Sequence, residues 1–188
     1  MLQSVWQGKM VRLRDIEPED WQVYAAWNLD DEQSRNLDKV YFPMSDARMR
    51  AWAEKEATKE RDGDNRRLVI VSNSTGEIVG DIGTHDCDPI AGNFSYGIAI
   101  RADHRRKGYA REAIRLLLRF YFTERRYQKA TVSAFEFNDA SIALHEGLGF
   151  QREGRLRRTV YSNGRHWDEI MFGITVEEFL DRYRAESG

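Results

Sequence analysis

A chain of 188 residues, 41% hydrophobic and 32% charged, carries enough apolar side chains for one well-filled domain and is short for two. That composition excludes a disordered segment, no apolar run approaches the ~20 residues that span a bilayer, and MLQSVWQGKM lacks the apolar stretch of a signal peptide. A single cysteine, Cys87, excludes an internal disulfide and fits a reducing compartment, so a cytoplasmic protein with one domain over residues 1–188 is expected, Cys87 being a small packed residue.

In chain order, the alternation in KMVRLRDI reads as a strand. Pro18 opens a helix through PEDWQVYAAWNL, at the first-turn position that proline favours. DDEQSRNLDKVYFP is polar and irregular, and a loop is expected there. Ser45 caps a second helix, DARMRAWAEKEATKER, ending near DGDN. RRLVIVSN and EIVGDIGTHD are strands of a hairpin, and NFSYGIAI is a further strand in which Gly97 signals a bulge or a close approach.

YAREAIRLLLRFYFTER is a helix whose Ala110, Ala113, Ile114, Leu117 and Tyr121 recur at three and four on one buried face. Arg111, Arg115 and Arg119 recur on another; the stripe reads as solvated, with Arg111 set apart by its place in the first turn. KATVSAFEF is a strand and NDASIALHEGLGF a short helix closed by glycine. QREGRLRRTVY and HWDEIMFGI flank SNGR, a strong hairpin signal, and Thr175 with Glu178 forms a capping box for VEEFLDRYRAE. The element order is βααβββαβαββ with a C-terminal helix.

Charge is unevenly spread. Residues 101–130 hold ten Lys or Arg against three Asp or Glu, a net of +7, so the formal −2 of the whole chain leaves −9 elsewhere. Two ligands of opposite sign are the expectation, one anionic at the basic segment and one cationic. The basic segment is a strand, a short loop with Gly108, and a helix start, which is a recipe for holding phosphate on free N–H groups at the positive end of a helix dipole. Neither GxxxxGK[ST] nor GxGxxG is present.

Arg105-Arg106-Lys107-Gly108-Tyr109-Ala110 resembles the acyl-CoA motif Arg/Gln-x-x-Gly-x-Gly/Ala of the GNAT N-acetyltransferases, and Asn138-x-x-Ser141-x-x-Leu144 with Gly149-Phe150 resembles that superfamily's second signature. MVRLRDIEPED and GRLRRTVYSNGRHWDEIMFGI look like its ribosomal-protein and spermidine acetyltransferase branch. The resemblance implies an α+β fold, a mixed, mostly antiparallel sheet with helices on both faces.

It also implies acetyl-CoA as co-substrate, with no metal. The pyrophosphate would lie on the backbone from Arg106 to Arg111, with Arg105, Arg106 or Lys107 side chains reaching it and Tyr109 and Ala110 in the same turn. The pantetheine arm would pair with Ile98, Ala99 and Ile100, near Asn138 and Ser141, and a bulge at Gly97 would part this strand from TVSAFEF. Where many members place a tyrosine beside the sulfur, this chain has His145, which donates a proton if charged or hydrogen-bonds the sulfur if neutral. Glu136 and Asp81 are candidates for the general base.

The expected partners are coenzyme A and a cationic amine, a small molecule (polyamine or aminoglycoside-like) or a protein N-terminus, met by carboxylates such as Asp31 and Glu32. A homodimer is compatible with this reading. Nucleic acid and membrane are not expected partners, since a slightly acidic chain lacks an extended basic face. The missing tyrosine leaves one alternative, a coenzyme-binding sensor or interaction module without turnover.

Overall fold

The structure, a computed structural model, describes residues 4–60 and 63–187, with side chains described as far as Tyr183. The chain forms two compact units, Met1–Gly83 with Ile98–Leu116, and Thr84–Gly97 with Leu117–Gly188. Among the described residues seven strands, β1 (Val11–Arg14), β2 (Arg67–Ser72), β3 (Ile78–Asp88), β4 (Asn93–Ile100), β5 (Lys129–Phe135), β6 (Gln151–Ser162) and β7 (Arg165–Thr175), order as β1-β2-β3-β4-β5-β7-β6. β4 with β5 is a parallel pair, and the pairs β1–β2, β2–β3, β5–β7 and β6–β7 are antiparallel.

In the first unit β1 (Val11–Arg14) pairs with β2 (Arg67–Ser72), which pairs with the first half of β3 (Ile78–Asp88). A 3₁₀ turn at Pro18–Asp20 leads into α1 (Trp21–Trp27); Asp20 is buried because it accepts Arg14 at 2.7 and 2.9 Å and the Glu17 N–H at 2.8 Å. The segment expected as a loop contains α2 (Asp31–Leu37). Its one apolar residue gives no helical period, but Asp30 caps it by accepting the Gln33 N–H at 2.9 Å, and Asp31 and Glu32 face the positive end of its dipole.

Ser45 caps α3 (Asp46–Thr58) as expected. The expected end of that helix falls on Arg61, which with Asp62 lies outside the described residues; its described part closes at Thr58. The core of this unit packs Ile16, Tyr24, Met49, Val69, Val71 and Ile78 against Trp21, Trp27 and Trp52.

The second unit takes the start of β4 (Asn93–Ile100), the C-terminal half of α4 (Tyr109–Thr123), β5 (Lys129–Phe135), α5 (Asp139–Leu148), β6 (Gln151–Ser162), β7 (Arg165–Thr175) and α6 (Val176–Ser187). Phe94 stacks on Tyr121 at 4.5 Å and meets Tyr127 edge-on, and the Tyr121 hydroxyl bonds Thr84 at 2.8 Å. Asn163 and Gly164 both have positive φ, as the tight turn of the β6–β7 hairpin demands. Thr175 and Glu178 bond each other's N–H groups, the expected capping box.

Gly97 lies within β4. It has no positive φ, and a Cβ there would meet open space. Backbone crowds Gly80 on β3, where a Cβ would collide with the Ala99 carbonyl oxygen. The parallel register runs Asn93↔Lys129, Phe94↔Ala130, Ser95↔Thr131 and goes no further, so β4 and β5 part after Ser95.

Candidate active site

In the first unit, β4 ends at Ile98–Ile100, with Ala99 buried and its neighbours half-buried. Arg101 then donates its N–H to Val79 O at 2.9 Å, a 3₁₀ turn spans Ala102–His104, and an exposed loop leads to α4 at Tyr109. Two loop residues are left-handed, Arg106 at φ 61° and Gly108 at φ 85°. For arginine this conformation costs roughly 1–2 kcal/mol, and such strain persists where the surroundings or a function require it. Left-handed residues alternating with others turn successive N–H groups to one side, an anion-binding concavity. The first-turn N–H groups of any α-helix lack intrahelical acceptors, and those of Tyr109 and Ala110 follow directly. These residues fit a diphosphate.

The loop's cations are braced from within the unit. Arg105 donates to Ile100 O at 3.3 Å and pairs with Glu32 at 3.5 Å, and Lys107 donates to Asp103 O at 3.0 Å. Arg111, in the first turn, is half-buried, and so are Arg115 and Arg119, which the sequence assigned to a solvated stripe. Glu32 thus faces the loop, and Asp31 pairs with Arg35 one turn along α2 at 3.3 Å.

Two residues of this segment escaped the sequence reading. Glu112 accepts the N–H groups of Lys9, Met10 and Val11 at 2.7–2.8 Å, which ties the first turn of α4 to the start of β1. His104 is buried beside the loop, its Nδ1 without a hydrogen-bond partner among the described residues. A lone Glu in a first turn or a lone His carries no signal of such a role in sequence.

Asp81 is buried on β3, where its Oδ2 accepts Arg67 at 2.7 and 2.8 Å; the Arg67 guanidinium lies over Tyr24 and Trp52. Burial, together with the Asp81 charge, pushes the Tyr24 hydroxyl far above its usual range.

In the second unit, Asn138 caps α5, its side chain accepting the Ser141 N–H at 3.1 Å. His145 is 1% exposed among Tyr96, Phe150 and Phe172. Its Nδ1 lies 2.8 Å from Ser141 O, and a carbonyl only accepts, so Nδ1 carries the proton. Burial lowers the imidazole pKa to about 4, so His145 is neutral at pH 7. Its Nε2 is then a bare acceptor with no partner among the described residues, and the buried Tyr96 hydroxyl has none among them either. Glu136 lies just past β5 and pairs with Arg155 at 2.7 Å. Among the described residues no cluster of His, Cys, Asp and Glu is placed to hold a metal ion.

Residues 11–151 match the acetyltransferase (GNAT) domain family. Over 95% of its length the chain is 43% identical to the SPbeta prophage-derived N-acetyltransferase YokL of Bacillus subtilis, covering 97% of that protein. It is 28% identical to the spermidine N(1)-acetyltransferase of Vibrio cholerae over 62% of this chain and 67% of that one. A Vibrio cholerae spermidine N-acetyltransferase, solved with CoA and spermine, shares the fold at a TM-score of 0.79, with 23% identity over 92% of this chain and 99% of that one. The chain therefore belongs to the GNAT acetyltransferase family, whose acetyl donor is acetyl-CoA.

Proposed function

We propose that residues 1–188 act as one domain that moves the acetyl group of acetyl-CoA to a primary amine on a cationic acceptor, a protein N-terminus, a polyamine or an aminoglycoside-like molecule. The observation that carries this is the pair of left-handed residues, Arg106 and Gly108, directly ahead of α4. The surplus of negative charge outside residues 101–130 supports the cationic acceptor.

A Lys-type amine has a pKa near ~10.4 and must lose a proton before its lone pair attacks the thioester carbon. We assign that proton to Asp81 or Glu136, directly or through water. The N–H groups of Ile98–Ile100 donate to the oxyanion. As the C–N bond forms the C–S bond breaks, and the proton taken from nitrogen by the base passes, directly or through water, to the departing thiolate. His145, whose neutral Nε2 only accepts, takes a hydrogen bond from the S–H so formed. The single cysteine supports a cytoplasmic location, and among the described residues no helix is long and apolar enough to cross a membrane. A homodimer belongs to the same proposal.

The test is free-thiol release from acetyl-CoA with a panel of amines at two salt concentrations. Turnover of cationic amines, with a KM that rises with salt, is expected. No release with any amine overturns the catalytic reading. Equal turnover of neutral and anionic amines overturns the acceptor's charge.

A further inference from the structure

Within the second unit, the β6–β7 hairpin carries positive charge that acetyl transfer does not use. β6 is the outer strand of the sheet, and none of its twelve side chains is buried. Residues 151–166 hold five arginines against Glu153, a net of +4. Two of the five are neutralised, Arg152 by Glu146 at 2.6 Å and Arg155 by Glu136 at 2.7 Å and by Asp168. Glu153 is itself taken by Lys129 at 2.7 Å. Arg157, Arg158 and Arg165 are exposed and form no ion pair among the described residues.

These three arginines lie where the hairpin is irregular. The register with β7 slips between Leu156 and Val160, and Arg158 is left-handed at φ 59°, a conformation costly for arginine. Asp168 holds the bulge by accepting the Arg158 N–H at 2.9 Å. At the same end Tyr161 is 64% exposed and meets the exposed His166 ring edge-on at 5.1 Å, and the Arg165 guanidinium lies 3.3 Å over Trp167. Strain of this kind is kept where the surroundings or a function require it.

The features select among partners. A second copy fits poorly, since two hairpins of +4 repel and a bulge breaks the ladder that an added strand needs. An acidic peptide meets the same broken ladder, and its carboxylates leave Tyr161 unused. Guarding a sheet edge needs only charge. A single-stranded nucleic acid uses every feature, because its phosphates accept forked pairs from guanidinium groups and its bases stack on open aromatic faces.

We propose that this end of the β6–β7 hairpin binds single-stranded nucleic acid, with phosphates on Arg157, Arg158 and Arg165 and a base on Tyr161. The inference goes beyond the acetyltransferase reading and does not depend on it.

The test is fluorescence anisotropy of labelled dodecauridylate with the full-length protein over a range of salt. Saturating coenzyme A is included, which occupies the left-handed loop before α4. Binding is expected, with log K falling against log salt at a slope of about −2, as three phosphate contacts at about −0.7 each require. The combined variant Arg157→Ser, Arg158→Gly, Arg165→Ser should bring that slope close to zero, and Arg158→Gly alone, which suits the left-handed backbone, should lower it by about a third. Tyr161→Ala should weaken binding about tenfold and leave the slope unchanged. No binding at low salt overturns the inference, and so does wild-type affinity in the folded combined variant or in Tyr161→Ala. Equal competition by an oligoglutamate of the same length would assign the surface to acidic polypeptide and overturn it too.

Discussion

The Glu112 carboxylate accepts the backbone N–H of Val11 at 2.7 Å, joining the first turn of α4 to a strand 101 positions earlier in the chain. The same carboxylate takes the N–H groups of Lys9 and Met10, so three bonds tie the start of β1 to the helix behind the left-handed loop.

Glu112→Ala should therefore cost stability and loosen the loop. Charge-assisted bonds contribute about 1.5–3 kcal/mol each when buried, but water replaces the acceptor at exposed Lys9 and Met10, so a loss near ~2 kcal/mol is expected. Chemical denaturation gives that number. Calorimetry should show acetyl-CoA binding weakened several-fold, and Glu112→Gln should recover part of both. Wild-type affinity in a folded Glu112→Ala protein would separate the anchor from the loop.

The two left-handed positions make opposite predictions. Gly108→Val places a β-branched residue at φ 85° and brings a Cβ within 3.1 Å of the Met10 Cε. Acetyl-CoA binding should fall tenfold or more, about 1.4 kcal/mol. Arg106→Gly relieves strain and should stabilise the protein by up to ~1 kcal/mol, offset by backbone entropy, while weakening acetyl-CoA. Thermal melts and calorimetry on the two variants read both quantities. Tighter acetyl-CoA binding by Arg106→Gly would mean that the strain serves no ligand.

His145 sets an acid limit on stability. Its folded pKa of about 4 lies below the usual 6.5 because burial disfavours the charged ring, so the unfolded chain binds the extra proton first. Stability is unaffected by this group above pH 6.5 and is lost as pH falls from 6.5 to 4, by on the order of 3 kcal/mol. His145→Phe should flatten that slope in denaturation measured between pH 7 and 4. It should also lower turnover at pH 7, leaving acetyl-CoA affinity little changed. Wild-type turnover in His145→Phe would reduce the residue to packing.

Asp81 offers a way to separate a base from a brace. Replacing it with Asn leaves the Arg67 guanidinium against Tyr24 and Trp52 without its counter-charge. If the pair is only structural, Asp81→Asn should lower stability by about 2–4 kcal/mol and leave kcat per folded molecule unchanged. If Asp81 is the base, kcat should fall about 10²-fold or more, with activity recovering as pH rises. Stopped-flow turnover alongside denaturation distinguishes them, and Glu136→Gln, which breaks the exposed pair with Arg155, is the parallel test.

Elements with a strong local signal were legible in the sequence. The apolar period of α4, the Asn163-Gly164 turn, the Ser45 cap and the Thr175–Glu178 box each depend on neighbours a few residues apart, and each stands where residue spacing put it. Gly108 with the basic residues around it was legible for the same reason, since a helix start and its loop are contiguous. α2 was not, because it buries one polar side chain and shows no apolar stripe. Tertiary structure alone decided what the polar residues do. Glu112 reaches across the chain to β1, Arg67 holds Asp81, Arg155 holds Glu136, and Ser141 fixes the tautomer of a histidine whose charge burial removes. Trp27 and His145 became notable only when the fold buried the indole N–H and Nε2 without a partner among the described residues, because burial and the loss of water, not residue type, make an unmet hydrogen bond costly.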